Sequence, residues 1–489
     1  MSIHGIDLTI VVVYVLAVIM FGLWLGRGQR NMSDYMLGNR DLPWWAILGS
    51  IVATETSTAT FLSLPGIAFA VGGDLRFLQL AIGLIVGRLA VALFLIPFFF
   101  RGELFTAYEV LAKRFGGSTK KTASILFLIT RNLGDGLRLF LTAIVLEKVA
   151  GVDLTVCIVL IGIATIVYTF FGGMKAVVWN DCIQFVVYVV GGLVAGLVII
   201  RLLPDGWSEV AQFAQAENKL RMFDFELDLT RTYTFWSGLI GGAALSLGTH
   251  GTDQMMVQRY LSARSQTGAK TAVIVSGFVV LFQFAFFLLL GIGLACFYAH
   301  VAPDKSFDRN DEVFATFIVD HLPVGLTGIT LAAVFSAAMS TLSSSLNSSA
   351  TTTVNDFLVP QNAKAVDQNM LLNWSKWLTV GYGLVQIVIG IGASYISRSV
   401  VGDALAVAGF AAGVLLGVFA LGVLTKRVGQ PSALFGMVAG ILCLIVLKFR
   451  TELAWPWYAV FGSMTIFGIG LLHSYLLTSD FERPTATKK

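Results

Sequence analysis

Uncharged apolar stretches of some 20 residues recur along almost the whole chain. No other feature limits its possible folds as much, because a helix of about 20 residues is what crosses roughly 30 Å of hydrocarbon. Residues 8–26, 154–174, 182–200, 377–396 and 404–425 are the cleanest cases. Longer or charge-interrupted segments lie at 43–73, 77–100, 122–146, 233–257, 271–299, 323–355, 431–447 and 455–478, giving 13 candidate spans. Backbone amides in lipid must be paired within their own segment, so the pattern calls for helices. With 56% hydrophobic and 13% charged residues and a mean hydropathy of +0.80, the chain lies outside the range of soluble domains. The expectation is an all-α polytopic membrane protein in which 1–489 form one domain. The longest polar connections, around 203–232 and 300–312, are too short to hold a core of their own.

The first span is followed by Arg27 and Arg30 and not by a small-residue cleavage site, so it is read as a retained helix rather than a signal peptide. An outside N-terminus and 13 crossings place more than half of the 33 Lys and Arg on the cytoplasmic side, the bias expected of a plasma or inner membrane protein. That bias also accounts for the net charge of +4, which gives no reason to expect nucleic acid or an obligate protein partner. The four cysteines, Cys157, Cys182, Cys296 and Cys443, have no C-x-x-C spacing and read as packing residues. Gly192 with Gly196, Gly409 with Gly413 and Gly417, and Gly436 with Gly440 are spaced for close helix packing.

Charges inside spans carry more information, since each costs at least about 2.5 to 3.5 kcal/mol near the bilayer centre. Glu55, Arg88, Arg131, Asp135, Arg138, Asp181 and Asp253 must therefore face protein or water. Asp135 and Arg138, at i and i+3, suit an ion pair within one helix. Two spans also look interrupted. One holds Ala53-Thr54-Glu55-Thr56-Ser57-Thr58-Ala59-Thr60 and then Pro65-Gly66; the other holds Gly241-Gly242, Gly248 and Gly251 around Ser246, Thr249 and His250. Broken helices at matching places in two halves point to a transport site. The ninth span adds a hydroxyl stripe, with 337, 340, 341, 344 and 348 on one face and 343 beside it. Neutral oxygens of this kind suit a hard monovalent cation, although the same hydroxyls could bond back to their own helix or join helices.

Four segments resemble the sodium:solute symporter family. They are Ser33-Asp34-Tyr35-Met36-Leu37-Gly38-Asn39-Arg40-Asp41-Leu42-Pro43-Trp44-Trp45, Gly172-Gly173-Met174-Lys175-Ala176-Val177-Val178-Trp179-Asn180-Asp181, Gly251-Thr252-Asp253-Gln254-Met255-Met256-Val257-Gln258-Arg259-Tyr260-Leu261, and the serine stripe. The resemblance implies an inverted five-plus-five helix repeat: 8–26 as an extra first helix, 43–200 and 233–425 as the repeats, 431–478 as two closing helices. It implies a sodium site from the carbonyls of Ala53, Thr56 and Ala337 with the hydroxyls of Ser340 and Thr341. A second sodium site would use Asp181, Ser340, Ser343 and Ser344. The substrate pocket it implies contains Glu55, Ser57, Thr60, Gln79, Arg131, Ser246 and Thr249, with Arg131 placed to hold a carboxylate.

The function expected is sodium-coupled symport of a small organic solute, carboxylate-bearing or zwitterionic, by alternating access, with sodium as coupling ion and no other cofactor. A neutral sugar or polyol is the next reading. An acid at Glu55 suits a substrate amino group, a sodium-linked role or pairing with an arginine. Enzyme chemistry is not expected, since the sequence shows no H-E-x-x-H, G-x-S-x-G or Walker A spacing. A passive channel remains a further alternative, and a sensor is disfavoured by the short tail after residue 478.

Overall fold

The computed structural model describes residues 4–27, 31–102, 104–307, 309–359, 367–396 and 400–477. Arg30 and the two chain ends, on which part of the topology reading rests, lie outside them. Among the described residues the chain is helical, and its one β-pairing is an isolated parallel bridge between Leu42 and Ala263. Among the described residues nine helices are long and apolar enough to cross a membrane, or up to ten if a pair bent by 56°, Trp44–Glu55 and Thr60–Phe69, counts as one span.

The difference from 13 has local causes. Segments 154–174 and 182–200 share the 49-residue helix Leu154–Leu202, which is interrupted at Gly173 with φ 58° and ψ −165°. A side chain there would be strained, so the second glycine of Gly172-Gly173 lets one apolar rod change direction. Segment 122–146 lies in Gly117–Ala150, whose Arg131, Asp135 and Arg138 take it out of the purely apolar class. Segment 233–257 runs without a break through Ser237–Gly241 and Gly242–Gly251 and is interrupted only at Thr252 and Asp253, before Gln254–Leu261, so the expected interruption lies after Gly251 and not at Gly241-Gly242.

At the centre lies the serine-rich helix Leu326–Thr353, continuous with Val354–Leu358; 89% of its most apolar window is buried, against 17% for the first helix, Gly5–Leu25. Its principal neighbour is Leu154–Leu202. There a Cβ on Gly191 would come within 2.5 Å of the Ala333 Cβ, so the glycine permits the approach. The peripheral first helix is nevertheless fastened to the centre. Asp7 Oδ1 accepts from the amides of Gly325 and Gly328, both at 2.7 Å, and so caps the serine helix. The spaced glycines of the last three helices do serve packing: a Cβ on Gly413 would lie 2.8 Å from the Tyr458 carbonyl oxygen, and one on Gly440 2.2 Å from Ile466. Gly196 has nothing within 4 Å and takes no part in a close contact.

Inter-segment contacts sort the chain ends of these helices onto two opposite faces. One face joins Leu42 with Ser262 and Arg264, Arg114 with Thr425, and Lys120 with Asp356. The other joins Asp7 with Gly325, Leu75 with Arg221, and Leu229 with Ala454.

Candidate functional site

The second span breaks at Thr56 and Ser57, upstream of Pro65, and its second half, Thr58–Phe69, continues as a helix through that proline. The Thr56 amide still bonds to the Val52 carbonyl at 2.9 Å, but the next amide, Ser57, donates to Glu55 at 3.0 Å. The turn thus lifts the last carbonyls of Trp44–Glu55 out of the helical ladder, leaving oxygens that side chains or ions must satisfy. Thr341 Oγ1 meets one of them, donating to the Thr54 carbonyl at 2.9 Å, and lies 3.4 Å from the Ala337 carbonyl. The break and the serine helix are therefore in direct contact, with Ala53, Thr56, Ala337, Ser340 and Thr341 all buried. Around Thr56, Gln283 Nε2 donates to its hydroxyl at 2.6 Å and the Tyr188 hydroxyl at 3.2 Å.

One helical turn deeper, Asp181 is completely buried and fully engaged. Ser340 donates to its Oδ1 at 2.6 Å, Ser50 to Oδ2 at 2.5 Å and Thr54 to Oδ2 at 3.3 Å. Arg259 Nη2 stands 3.1 Å from Oδ2 and also donates to Ser344 and Thr54. Ser343 bonds instead to the Ser340 carbonyl, and Ser348 to that of Ser345, so these two hydroxyls serve their own helix. The 13-span reading places Arg259 in a cytoplasmic loop just after the seventh span; the structure instead buries it, with 1% of its surface exposed. Asp253 caps Gln254–Leu261 through the Met255 amide at 2.8 Å, and Gln258 donates to Met36 and Asn347, which turn this short helix back into the protein. The signal was the run Gly251–Leu261 itself, whose apolar residues flank an arginine.

Between the break and the rest of the bundle lies a cavity of about 180 Å³. Glu55, Ser57, Thr60, Arg131 and Thr249 line it, as the sequence reading expects. Gln79 and Ser246 do not. The Gln79 amide is spent on the carbonyls of Arg76 and Tyr233 and the Asp224 amide, and the Ser246 hydroxyl on the Leu84 carbonyl at 2.9 Å. His250 and Arg138 are lining residues that the sequence reading did not assign to the pocket.

The cavity charges are paired. Arg88, with no exposed side-chain surface, donates to Glu55, and His250 Nε2 lies 3.7 Å from the same carboxylate. Of the three roles open to Glu55, the structure displays the arginine pair. Arg131 meets Asp253 at 2.5 Å and Asp135 at 3.7 Å, while Arg138 meets Asp135 at 2.5 Å, the i, i+3 pair expected from the sequence. Arg131 Nε and Asp135 Oδ2 still lack hydrogen-bond partners, so this network has unused capacity beside the cavity.

Comparison with known proteins identifies the family. Residues 35–440 match the sodium:solute symporter family. The human sodium/iodide cotransporter is 30% identical over 436 residues, 86% of this chain and 66% of that protein, so the chain spans just under two thirds of that longer relative. The sodium/sialic acid symporter of Proteus mirabilis (strain HI4320) is 28% identical over 93% of this chain and 91% of its own. A solved Na+-coupled sialic acid symporter, in a substrate-bound outward-open state that reveals a novel Na+ site, superposes with a TM-score of 0.89 at 26% identity, covering 97% of this chain and 98% of that one. A nucleobase-cation-symport-1 family transporter shares the fold alone, with a TM-score of 0.58 at 14% identity. From the interrupted helices, the serine stripe and these matches together, the chain belongs to the sodium:solute symporter family.

Proposed function

We propose that this protein carries a small carboxylate-bearing or zwitterionic solute across a cell membrane together with sodium. The observation that carries the reading is the junction of Thr54 and Thr341, where neutral oxygens gather at a helix break that opens into a cavity lined by Arg131 and Arg138. Sodium held by Ala53, Thr56, Ala337, Ser340 and Thr341 would bring one positive charge to ligands that carry none. The charged residues that line the cavity, Glu55, Arg131 and Arg138, are each paired with a residue behind it, Arg88, Asp253 and Asp135 respectively, so arginines and carboxylates balance in the network. An anionic group on the solute would balance the incoming ion in a medium of low dielectric. A planar guanidinium suits a carboxylate, since it offers two parallel donors. Names of relatives point the same way, among them the bovine sodium-coupled monocarboxylate transporter 2 and the sialic acid symporters.

The pairing of every cavity charge also favours a second reading, a neutral sugar or polyol held by Ser57, Thr60 and Thr249. Purified protein screened by thermal shift against carboxylates, amino acids and sugars, in sodium and in potassium, separates the two. Concentrative uptake of the stabilising solute into proteoliposomes under an inward sodium gradient then tests the symport itself. Equal uptake in potassium would remove sodium coupling, and equilibration without accumulation would indicate a channel.

The orientation follows from charge. The face carrying Leu42, Arg114, Lys120 and Arg264 is the more basic reading for the cytoplasm, and the N-terminal helix end at Asp7 lies on the opposite, outer face. Ile67, Phe77 and Trp455 are among the residues that line the cavity.

A further inference from the structure

Asp181, Ser340 and Ser344 lie within reach of one another, as a second cation site requires, yet a cation is already there. The Arg259 guanidinium reaches five partners: Nε donates to Ser50 at 2.8 Å, Nη1 to the Met255 carbonyl at 2.6 Å, and Nη2 to Asp181 at 3.1 Å and to Ser344 and Thr54. These contacts use the same oxygen lone pairs of Asp181 and Ser344 that a bound sodium would need. Two cations sharing one carboxylate in a buried site repel strongly, so the site takes one or the other.

We infer that Arg259 is the resident cation of the Asp181 site and that a second sodium binds there only by displacing it. This deepens the symport reading and rests on it. The displacement has a direction. Arg259 belongs to Gln254–Leu261, whose C-terminal end is joined to the segment that leads into the second span by the Leu42 amide on Ser262 at 3.1 Å and the Arg264 amide on Leu42 at 3.0 Å. Gln258, one residue earlier, holds the Met36 carbonyl at 2.6 Å and Asn347 at 2.7 Å. Arg259 is thus a positioning residue that joins the ion site to the contact between its own short helix and the segment before the second span, on the basic face. Sodium entry and release of that tie become one event.

The test uses purified full-length protein, with thermal unfolding followed against sodium chloride at ionic strength held constant with potassium chloride. Arg259→Gln removes the competing charge and is expected to lower the sodium concentration for half-maximal stabilisation by tenfold or more. Asp181→Asn combined with Arg259→Gln removes the site and is expected to abolish that gain. Arg259→Lys keeps a charge but loses the planar fork, so its midpoint is expected between the wild type and Arg259→Gln. If Arg259→Gln does not purify, the lysine variant carries the test, and a midpoint equal to or above the wild type overturns the proposal. A wild type that responds to sodium, with an unchanged or higher midpoint in Arg259→Gln, overturns this inference alone. A wild type with no sodium response overturns it together with the symport reading.

Discussion

The Thr341 hydroxyl donates to the Thr54 carbonyl over 2.9 Å, fastening the serine-rich helix to the second span at the turn that ends its first half. Two elements almost 290 residues apart in sequence thereby share one set of neutral oxygens. Four side-chain predictions and one topological prediction follow from this arrangement and its surroundings.

Replacing Thr341 or Ser340 with Ala deletes an oxygen from the proposed sodium site. Hydrogen bonds to charged groups are worth about 1.5–3 kcal/mol, and 1.4 kcal/mol is tenfold, so sodium for half-maximal uptake should rise tenfold or more. Thr341→Ser keeps the hydroxyl and should restore most of the affinity. Uptake against sodium concentration, normalised to protein in the membrane, reads this directly; unchanged sodium dependence in both Ala variants moves the site elsewhere.

Arg131→Lys keeps the charge and loses the planar fork, so it should weaken solute affinity by about tenfold while leaving the sodium midpoint in place. Arg138 lines the same cavity two turns along and has a single ion-pair partner. Normal solute affinity in Arg131→Lys with a loss in Arg138→Lys would assign the carboxylate subsite to Arg138 and leave Arg131 as the partner of Asp253.

Glu55 and Arg88 join the break to the third span inside the bundle. Removing one partner strands a buried charge at a cost of about 3–5 kcal/mol, whereas removing both leaves none. Glu55→Gln and Arg88→Met should each lower the unfolding temperature, and the double variant should recover a large part of the loss. Additive losses would show that the two residues are not coupled.

Asp224 lies in the connection between the sixth and seventh spans, outside the membrane, with Arg231 at 2.8 Å, Arg76 at 3.3 Å and Arg221 at 3.5 Å. Burial works to raise its pKa, but the Glu226 amide and the Arg231, Arg76 and Arg221 guanidinium groups outweigh it and hold the carboxyl below its usual value. A depressed pKa means that this stabilisation is complete above the unfolded value and is lost as pH falls through the folded one. The unfolding temperature of Asp224→Asn should therefore fall below that of the wild type at neutral pH, and the two curves should converge in acid. A constant difference at all pH values would remove the charge cluster as the cause.

Glu217 is exposed on the proposed outer face and Lys121 on the proposed cytoplasmic face. In intact cells a membrane-impermeant thiol reagent should label Glu217→Cys but not Lys121→Cys, while lysed cells should show both. The reverse pattern would invert the topology.

The sequence by itself determined the helical membrane class, the family, the two interrupted spans and the buried hydroxyl stripe. Each is written locally: the apolar runs must satisfy their own backbone, and Gly, Ser and Thr inside them mark where a helix can end or carry polar groups. The Asp135 and Arg138 pair was legible for the same reason, since i and i+3 meet on any helix. Tertiary structure alone decided which charge meets which. Glu55 could have faced a solute, an ion or an arginine, and only the approach of the third span selects Arg88. Gln79 and Ser246 sit on spans that reach the cavity, but their side chains find backbone partners behind it. Arg259 reads as a loop residue because its helix has only eight residues, too short to cross a membrane, and only the folding of that helix against Ser50, Thr54 and Asp181 buries it. Local pattern fixes what a segment must hide from lipid, and long-range packing fixes the partner that hides it.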